Sequence, residues 1–191
     1  FWKDNVALLN LTDMARMLSS LLLVGAALQL RAEAPAFDEY QVKAAFLYNF
    51  AKFVQWPLGT FANSTDPIGI CIVGQNPFGS TLENMVQGKK VGDRTFAVRR
   101  LADTQQAGQC QILFIGATES KRTRGLLDAV KSTGVLTVGE SDDFTALGGI
   151  ITLRLEGPRV HIQIALDTAE HAKLKVSSKL LNLAEIAKKQ P

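Results

Sequence analysis

Apolar positions recur with a helical period from Asp38 to Trp56. Wound at about 100° per residue, Val42, Phe46, Leu47, Phe50, Phe53 and Val54 share one arc. The pattern predicts a helix with that arc on the core, ended by Pro57. Gln41, Asn49, Lys52 and Gln55 lie opposite, and so do Tyr48 and Trp56. Two aromatics on a polar face make Tyr48 and Trp56 candidate contact residues, unless a second layer of the same domain covers them.

The period then changes. Ile68-Gly-Ile-Cys-Ile-Val73 is a continuous apolar run, suited to a fully buried strand. A glycine turn and a short helix over Ser80 to Val86 follow, then strands at Thr95–Arg99 and Ile112–Ile115. A helix around Lys121–Lys131 and a strand at Val135–Val138 come next. Ile150–Glu156 and Arg159–Ala165 face each other across Gly157-Pro158 and predict a hairpin near a sheet edge. Asp167–Lys173 and Ser178–Lys188 read as closing helices. Short apolar strands alternating with helices give an α/β class, a three-layer α/β/α arrangement. Its central sheet is mostly parallel, with the C-terminal hairpin at one edge.

The beginning of the chain follows another logic. Met14-Ala-Arg-Met17 precedes an apolar stretch, Leu18 to Leu28, and small residues follow at Ala32, Ala34 and Ala36. A basic start, a short apolar core and an Ala-x-Ala end make a secretory signal peptide. The stretch falls short of the roughly 20 apolar residues that span a bilayer. Residues 1–36 are therefore read as upstream sequence plus signal peptide, and 37–191 as one exported domain. Export makes Cys71 and Cys110 a candidate disulfide, either a structural bridge or a redox switch. The two thiols could meet if their strands are neighbours.

Composition narrows the chemistry. Of 191 residues 47% are hydrophobic and 20% charged, as in an ordinary globular chain. The net charge of +3 is mild, and the basic residues are scattered apart from Lys121-Arg-Thr-Arg124, which argues against a nucleic-acid partner. Two cysteines and two histidines leave little for a metal site, and no cofactor motif is present. Gly74-Gln-Asn-Pro-Phe-Gly79-Ser80-Thr81 has the glycine spacing of a phosphate loop but holds Ser80 where that loop needs lysine. Gly74, Gly79, Ser80 and Thr81 thus form a candidate anion-binding turn, competing with a plain strand-to-helix connection. No catalytic constellation stands out: His161 reads as a solvated strand residue. Glu140, Asp142 and Asp143 form a small acidic cluster that could bind a cation, against a reading in which the Asp142-Asp143 pair caps the turn before Phe144. Gly148-Gly149 calls for a bulge or a close approach by another chain. Near the end, Leu180, Leu183 and Ile186 form an apolar segment for the core or for a partner.

Several of these stretches resemble one family. Tyr40-Gln-Val-Lys-Ala-Ala-Phe-Leu-Tyr-Asn-Phe-Ala-Lys-Phe-Val-Gln-Trp-Pro57 resembles the opening helix of the YfiR-like family of bacterial periplasmic proteins. Ile70–Gly74, Cys110–Ile115, Leu136–Glu140, Gly148–Ile151 and Leu174–Ala184 continue the likeness in order, over residues 38–187. The resemblance implies an α/β periplasmic regulator without known catalysis. It would restrain an inner-membrane diguanylate cyclase by binding the cyclase's periplasmic portion. An outer-membrane lipoprotein that sequesters the regulator would release the cyclase and raise cyclic-di-GMP, promoting biofilm. Related proteins could instead serve membrane sensor kinases. The resemblance also implies a homodimer and a Cys71–Cys110 bridge; the second cysteine pair of some relatives is missing here. Within that reading, Tyr48, Trp56, Phe144, Leu180, Leu183 and Ile186 are the expected partner-binding residues. A small-molecule or anion sensor using the Gly74–Thr81 turn and acting with a sensor kinase is the alternative, with a hydrolase a distant third.

Overall fold

The computed structural model describes residues 38–102 and 104–187, so the stretch read as a signal peptide lies outside the described residues. The opening helix, α1, runs from Glu39 to Phe53. Asp38 caps it by accepting the Tyr40 and Gln41 amides at 3.1 Å, satisfying donors that the first helical turn leaves free. The helix stops before the expected Trp56. Val54–Gln55 leaves as a short strand, β1, paired antiparallel with β8 (Lys175–Val176). The buried face is also turned from the expected arc: Lys43, Ala44, Leu47, Phe50 and Ala51 are buried, while Val42, Phe46 and Phe53 flank them.

The main sheet contains β2 (Ile68–Val73), β3 (Phe96–Leu101), β4 (Ile112–Ile115), β5 (Leu136–Gly139), β6 (Ile151–Glu156), β7 (Arg159–Ile164) and β9 (Glu185–Ile186). Their order is β3-β2-β4-β5-β6-β7-β9. Every pairing is parallel except the β6–β7 hairpin, beyond which lies only the two-residue β9. The helices between strands are α2 (Thr81–Val86), α3 (Ser120–Val130), α4 (Leu166–His171) and α5 (Ser178–Leu181).

Alternate side chains of the central strands enter two separate cores. Ile70, Ile72, Ile112, Phe114, Leu136 and Val138 join α1 and α2 on one face. Cys71, Val73, Leu113 and Ile115 join α3, a 3-10 segment at Thr104–Gln109 and Phe144 on the other. That is the expected three-layer α/β/α arrangement.

Two readings of the C-terminal half are corrected. The helix expected over Ser178–Lys188 lasts only from Ser178 to Leu181, capped by Ser177. The chain then turns and enters the sheet, where Glu185 and Ile186 pair with Gln163 and Ile164. Lys188 lies outside the described residues. The close approach that Gly148-Gly149 foretold comes from within the chain. A Cβ on Gly149 would fall 2.1 Å from the Phe144 ring, and one on Gly139 2.2 Å from it. Two bare backbones make a slot that the ring fills.

Cys71 and Cys110 form a disulfide with a Cα–Cα distance of 6.0 Å across a separation of 39 residues. It ties β2 to the segment just ahead of neighbouring β4, on the α3 side. By the chain-entropy estimate, closing such a loop contributes about 3–4 kcal/mol. Replacing both cysteines with alanine should lower unfolding free energy in urea by about that amount. A loss below about 1 kcal/mol would show that the bridge does not carry the stability assigned to it.

Candidate functional site

In an open parallel sheet the favoured ligand position is outside the strands' carboxyl ends, where the strand order reverses. Here that point lies between β2 and β4, beside Gly74 and Gly116. The Gly74–Thr81 turn is built for packing rather than for an anion. Gly74 and Gly79 have φ of +80° and +56°, values natural to glycine. Asn76 holds the turn shut: its amide donates to the Gly79 oxygen and its own oxygen accepts the Phe78 amide, both at 2.9 Å. The tight turn drives Phe78 into the core, edge-on against Phe114 at 4.8 Å and Tyr40 at 5.6 Å. The Glu119 side chain lies directly over Gly74. A carboxylate there repels an anion, α2 has only six residues, and Ser80 makes no side-chain cap bond. The anion-binding reading of Gly74, Gly79, Ser80 and Thr81 is therefore corrected to a structural turn.

A charged cluster that the helical pattern did not single out lies at the same end. Lys43 projects from the buried face of α1, and its ammonium bonds to both Glu39 and Glu140. Glu140 follows β5, and its other oxygen accepts the Ala117 amide at 3.2 Å. One carboxylate thus joins α1, the end of β5 and the loop after β4. Burial alone would lower the Lys43 pKa, but its bonds to Glu140 and Glu39 outweigh this and hold it above the ordinary lysine value. Burial and the nearby Glu140 charge raise the Tyr40 phenol. Lys43 was detectable: it shares a helical stripe with Leu47, Phe50 and Val54 and stands four residues after Glu39.

The six expected contact residues separate into core and surface. Phe144 and Leu180 are 1% and 2% exposed, so neither can meet a partner. Phe144 fills the glycine slot, and Leu180 packs in the core beneath α1. Tyr48 is half-buried against Phe96 of β3, at 5.4 Å between rings. Trp56 is half-buried too; its indole N–H donates to the Gln111 oxygen at 3.2 Å and its ring meets Phe61 edge-on. Leu183 and Ile186 are exposed, at 68% and 43%. Tyr48 stands by the first strand of the sheet and Ile186 in the last, so the expected residues do not form one surface. His161 is half exposed beside Glu156, as the strand pattern suggested.

A recess lies elsewhere, on the α3 side of β5, β6 and β7. It is a cleft of about 550 Å³ between α3, the Thr145–Gly148 turn and α4. Its polar lining includes Thr137, Thr145, Arg154, Gln163, Asp167 and His171. A smaller recess of about 240 Å³ adjoins Tyr40, Lys43 and Glu140. Among the described residues, no helix is long and apolar enough to cross a membrane.

The Lys43 cluster yields a stability prediction. Removing one member of a buried ion pair strands the other's charge, so Lys43→Met should cost about 3 kcal/mol, with partial recovery in Lys43→Met/Glu140→Gln. The folded-state pKa of Lys43 is raised, so its contribution is complete below the unfolded lysine value. It disappears as alkaline pH passes through the folded value. Denaturant titrations of wild type and Lys43→Met should therefore converge only at strongly alkaline pH. Convergence near neutrality would contradict the assignment.

One solved structure supports the fold. A crystal structure of a conserved domain protein from Vibrio cholerae O1 biovar El Tor superposes with a TM-score of 0.53 at 12% identity. The match covers 78% of this chain and 60% of that one, so this chain spans well under two thirds of its length. The ABC domain in complex with L-Trp from Streptococcus pneumoniae gives a TM-score of 0.46 at 8% identity, covering 62% and 55% of the two chains. The family model described as YfiR/HmsC-like matches residues 40–185, from the first turn of α1 to β9. That span covers the main sheet and the helices packed on it, and the chain belongs to the YfiR/HmsC-like family.

Proposed function

We propose that this protein is an exported periplasmic regulator that binds and restrains an inner-membrane signalling protein, a diguanylate cyclase first and a sensor kinase second. The observation that carries the reading is the family match across residues 40–185. Restraint works by population shift: the regulator binds the partner's inactive state more tightly than its active one. Moving a partner from almost wholly active to almost wholly inactive takes about 5.5 kcal/mol of differential affinity. Such affinity calls for a desolvated apolar contact, and exposed Leu183 and Ile186 at the β9 end supply a seed for one. An outer-membrane lipoprotein that sequesters the protein, and a homodimer, belong to the same reading. The chemistry performed is binding, with no catalytic role for any residue.

The test is a pull-down of the tagged, exported protein from detergent-solubilised envelopes of its native host. Recovery of a cyclase or kinase supports the reading. Leu183→Asp/Ile186→Lys should reduce that recovery while leaving the melting temperature unchanged. Undiminished recovery with this variant would remove β9 from the contact surface.

A second reading has one specific observation in its favour. The cleft of about 550 Å³ falls within the size range of small-molecule sites, so the alternative sensor role moves from the glycine turn to this cleft. A metabolite panel should then contain a compound that raises the melting temperature of wild type but not of Gln163→Leu. A panel without any shift would end this reading.

A further inference from the structure

We propose that the outer edge of β3 is a docking surface for an acidic, extended segment of a protein partner, which joins the sheet as an added strand. The proposal does not depend on the cyclase reading.

β3 is the first strand in the sheet order and pairs only with β2. Its register shows which backbone groups are free. The Ile68 amide donates to the Thr95 oxygen at 2.8 Å, so Thr95, Ala97, Arg99 and Leu101 direct their backbone groups toward β2. Backbone groups alternate sides along a strand. The N–H and C=O of Phe96, Val98 and Arg100 therefore point outward, a ready row of donors and acceptors about 13 Å long.

The charge around this edge is predominantly positive. From residue 89 to 103 the chain holds Lys89, Lys90, Arg94, Arg99 and Arg100 against two acids, Asp93 and Asp103, so this stretch alone matches the +3 of the whole chain. α1 adds Lys52. The Lys52 and Lys89 ammonium groups stand over the Tyr48 ring at 4.1 and 4.6 Å from its centre, and Tyr48 packs on Phe96. These cations are thereby held near the amino end of β3, while exposed Arg99 and Arg100 mark its carboxyl end. Arg94 is committed locally, donating to the Asn63 and Asp66 backbone oxygens. Among the described residues, Lys52, Lys89, Lys90, Arg99 and Arg100 form no ion pair. Four of these five cations are close in sequence, within residues 89–100, and the fold adds Lys52 to them.

Charge on an edge strand also deters self-association, a task that one or two lysines perform. Five unneutralised cations exceed that need and specify the sign of a partner. An anionic bilayer would attract them, but it offers no groups to pair with the outward backbone. The large exposed hydrophobics that would anchor in lipid, Leu58, Leu155, Leu183 and Ile186, all lie outside 89–102. A strand with acidic residues near both ends satisfies both the hydrogen bonds and the charge.

The test uses the exported full-length protein with three probes: a ten-residue peptide of alternating Glu and Val, its Lys/Val counterpart, and phosphatidylglycerol vesicles. The Glu/Val peptide should bind, weaken with added salt, and slow hydrogen exchange at the Phe96, Val98 and Arg100 amides. Arg99→Glu/Arg100→Glu should lose about tenfold or more in affinity at an unchanged melting temperature. If that variant does not fold, Lys89→Glu/Lys90→Glu outside the strand makes the same comparison. The proposal is overturned by equal binding of the Lys/Val peptide, by vesicle binding without peptide binding, or by no binding. Peptide binding that leaves those three amides unprotected would overturn it as well.

Discussion

The rest of this structure depends on β2, a strand second in the sheet order and buried on both faces. All six residues of β2 are buried, with Ile68, Ile70 and Ile72 toward α1 and Cys71 and Val73 toward α3. A strand without a solvent face is stable only if two layers cover it. The α1 side is densely covered, because Leu47, Phe50, Phe78 and Leu82 pack there with three rows of strand residues. The α3 side over β2 and β3 has a 3-10 segment, which buries little more than Ala107 and Cys110. The disulfide lies on that thinner side. A covalent tie is most useful where apolar area is least available, since it acts by restricting the unfolded chain and not by removing area from water.

The second constraint follows from the first. A helix that covers a sheet needs a fixed position along it, and apolar packing alone tolerates sliding. Lys43 projects from the packed face and finds Glu140 at the carboxyl end of β5. A buried pair of this kind is weak evidence of net stability, but it penalises any register that separates the charges. Four residues later Phe144 enters its glycine slot on the opposite side of the sheet. One short stretch after β5 thus locates both layers.

How much of this could be read in the sequence depended on how local the cause was. Ile68–Val73 and Ile112–Ile115 were legible because burial on two faces leaves continuous apolar runs, and the hairpin because of its alternation around Gly157. The tail was misread because Leu180, Leu183 and Ile186 fit a helical pattern, whereas the competing interaction is pairing of Ile186 with Ile164 of β7. Such a partner, remote in sequence, leaves no periodic trace. The early end of α1 has the same origin, in β1 pairing with β8. Phe144 looked exposed among Asp142, Asp143 and glycines, and only the fold shows that those glycines are its walls. The charged cluster was half legible: Lys43 sits visibly in an apolar stripe, but its partner Glu140 is 97 residues away.

The two ends of the sheet are chemically opposite, and this bears on how a regulator could be released from what it restrains. The β3 end is basic and offers backbone groups; the β9 end is small and presents exposed Leu183 and Ile186 beside Glu185. Partners at opposite ends bind simultaneously unless occupation of one alters the other, and such coupling needs an element with two arrangements. Between the ends lie a strand buried on both faces, a disulfide, and a helix tied by Lys43. That is poor material for a two-state relay. Displacement of one partner by another is therefore most simply achieved where both compete for the same end. On the proposed reading, a protein built with this centre would separate its partners by surface and exchange them by overlap.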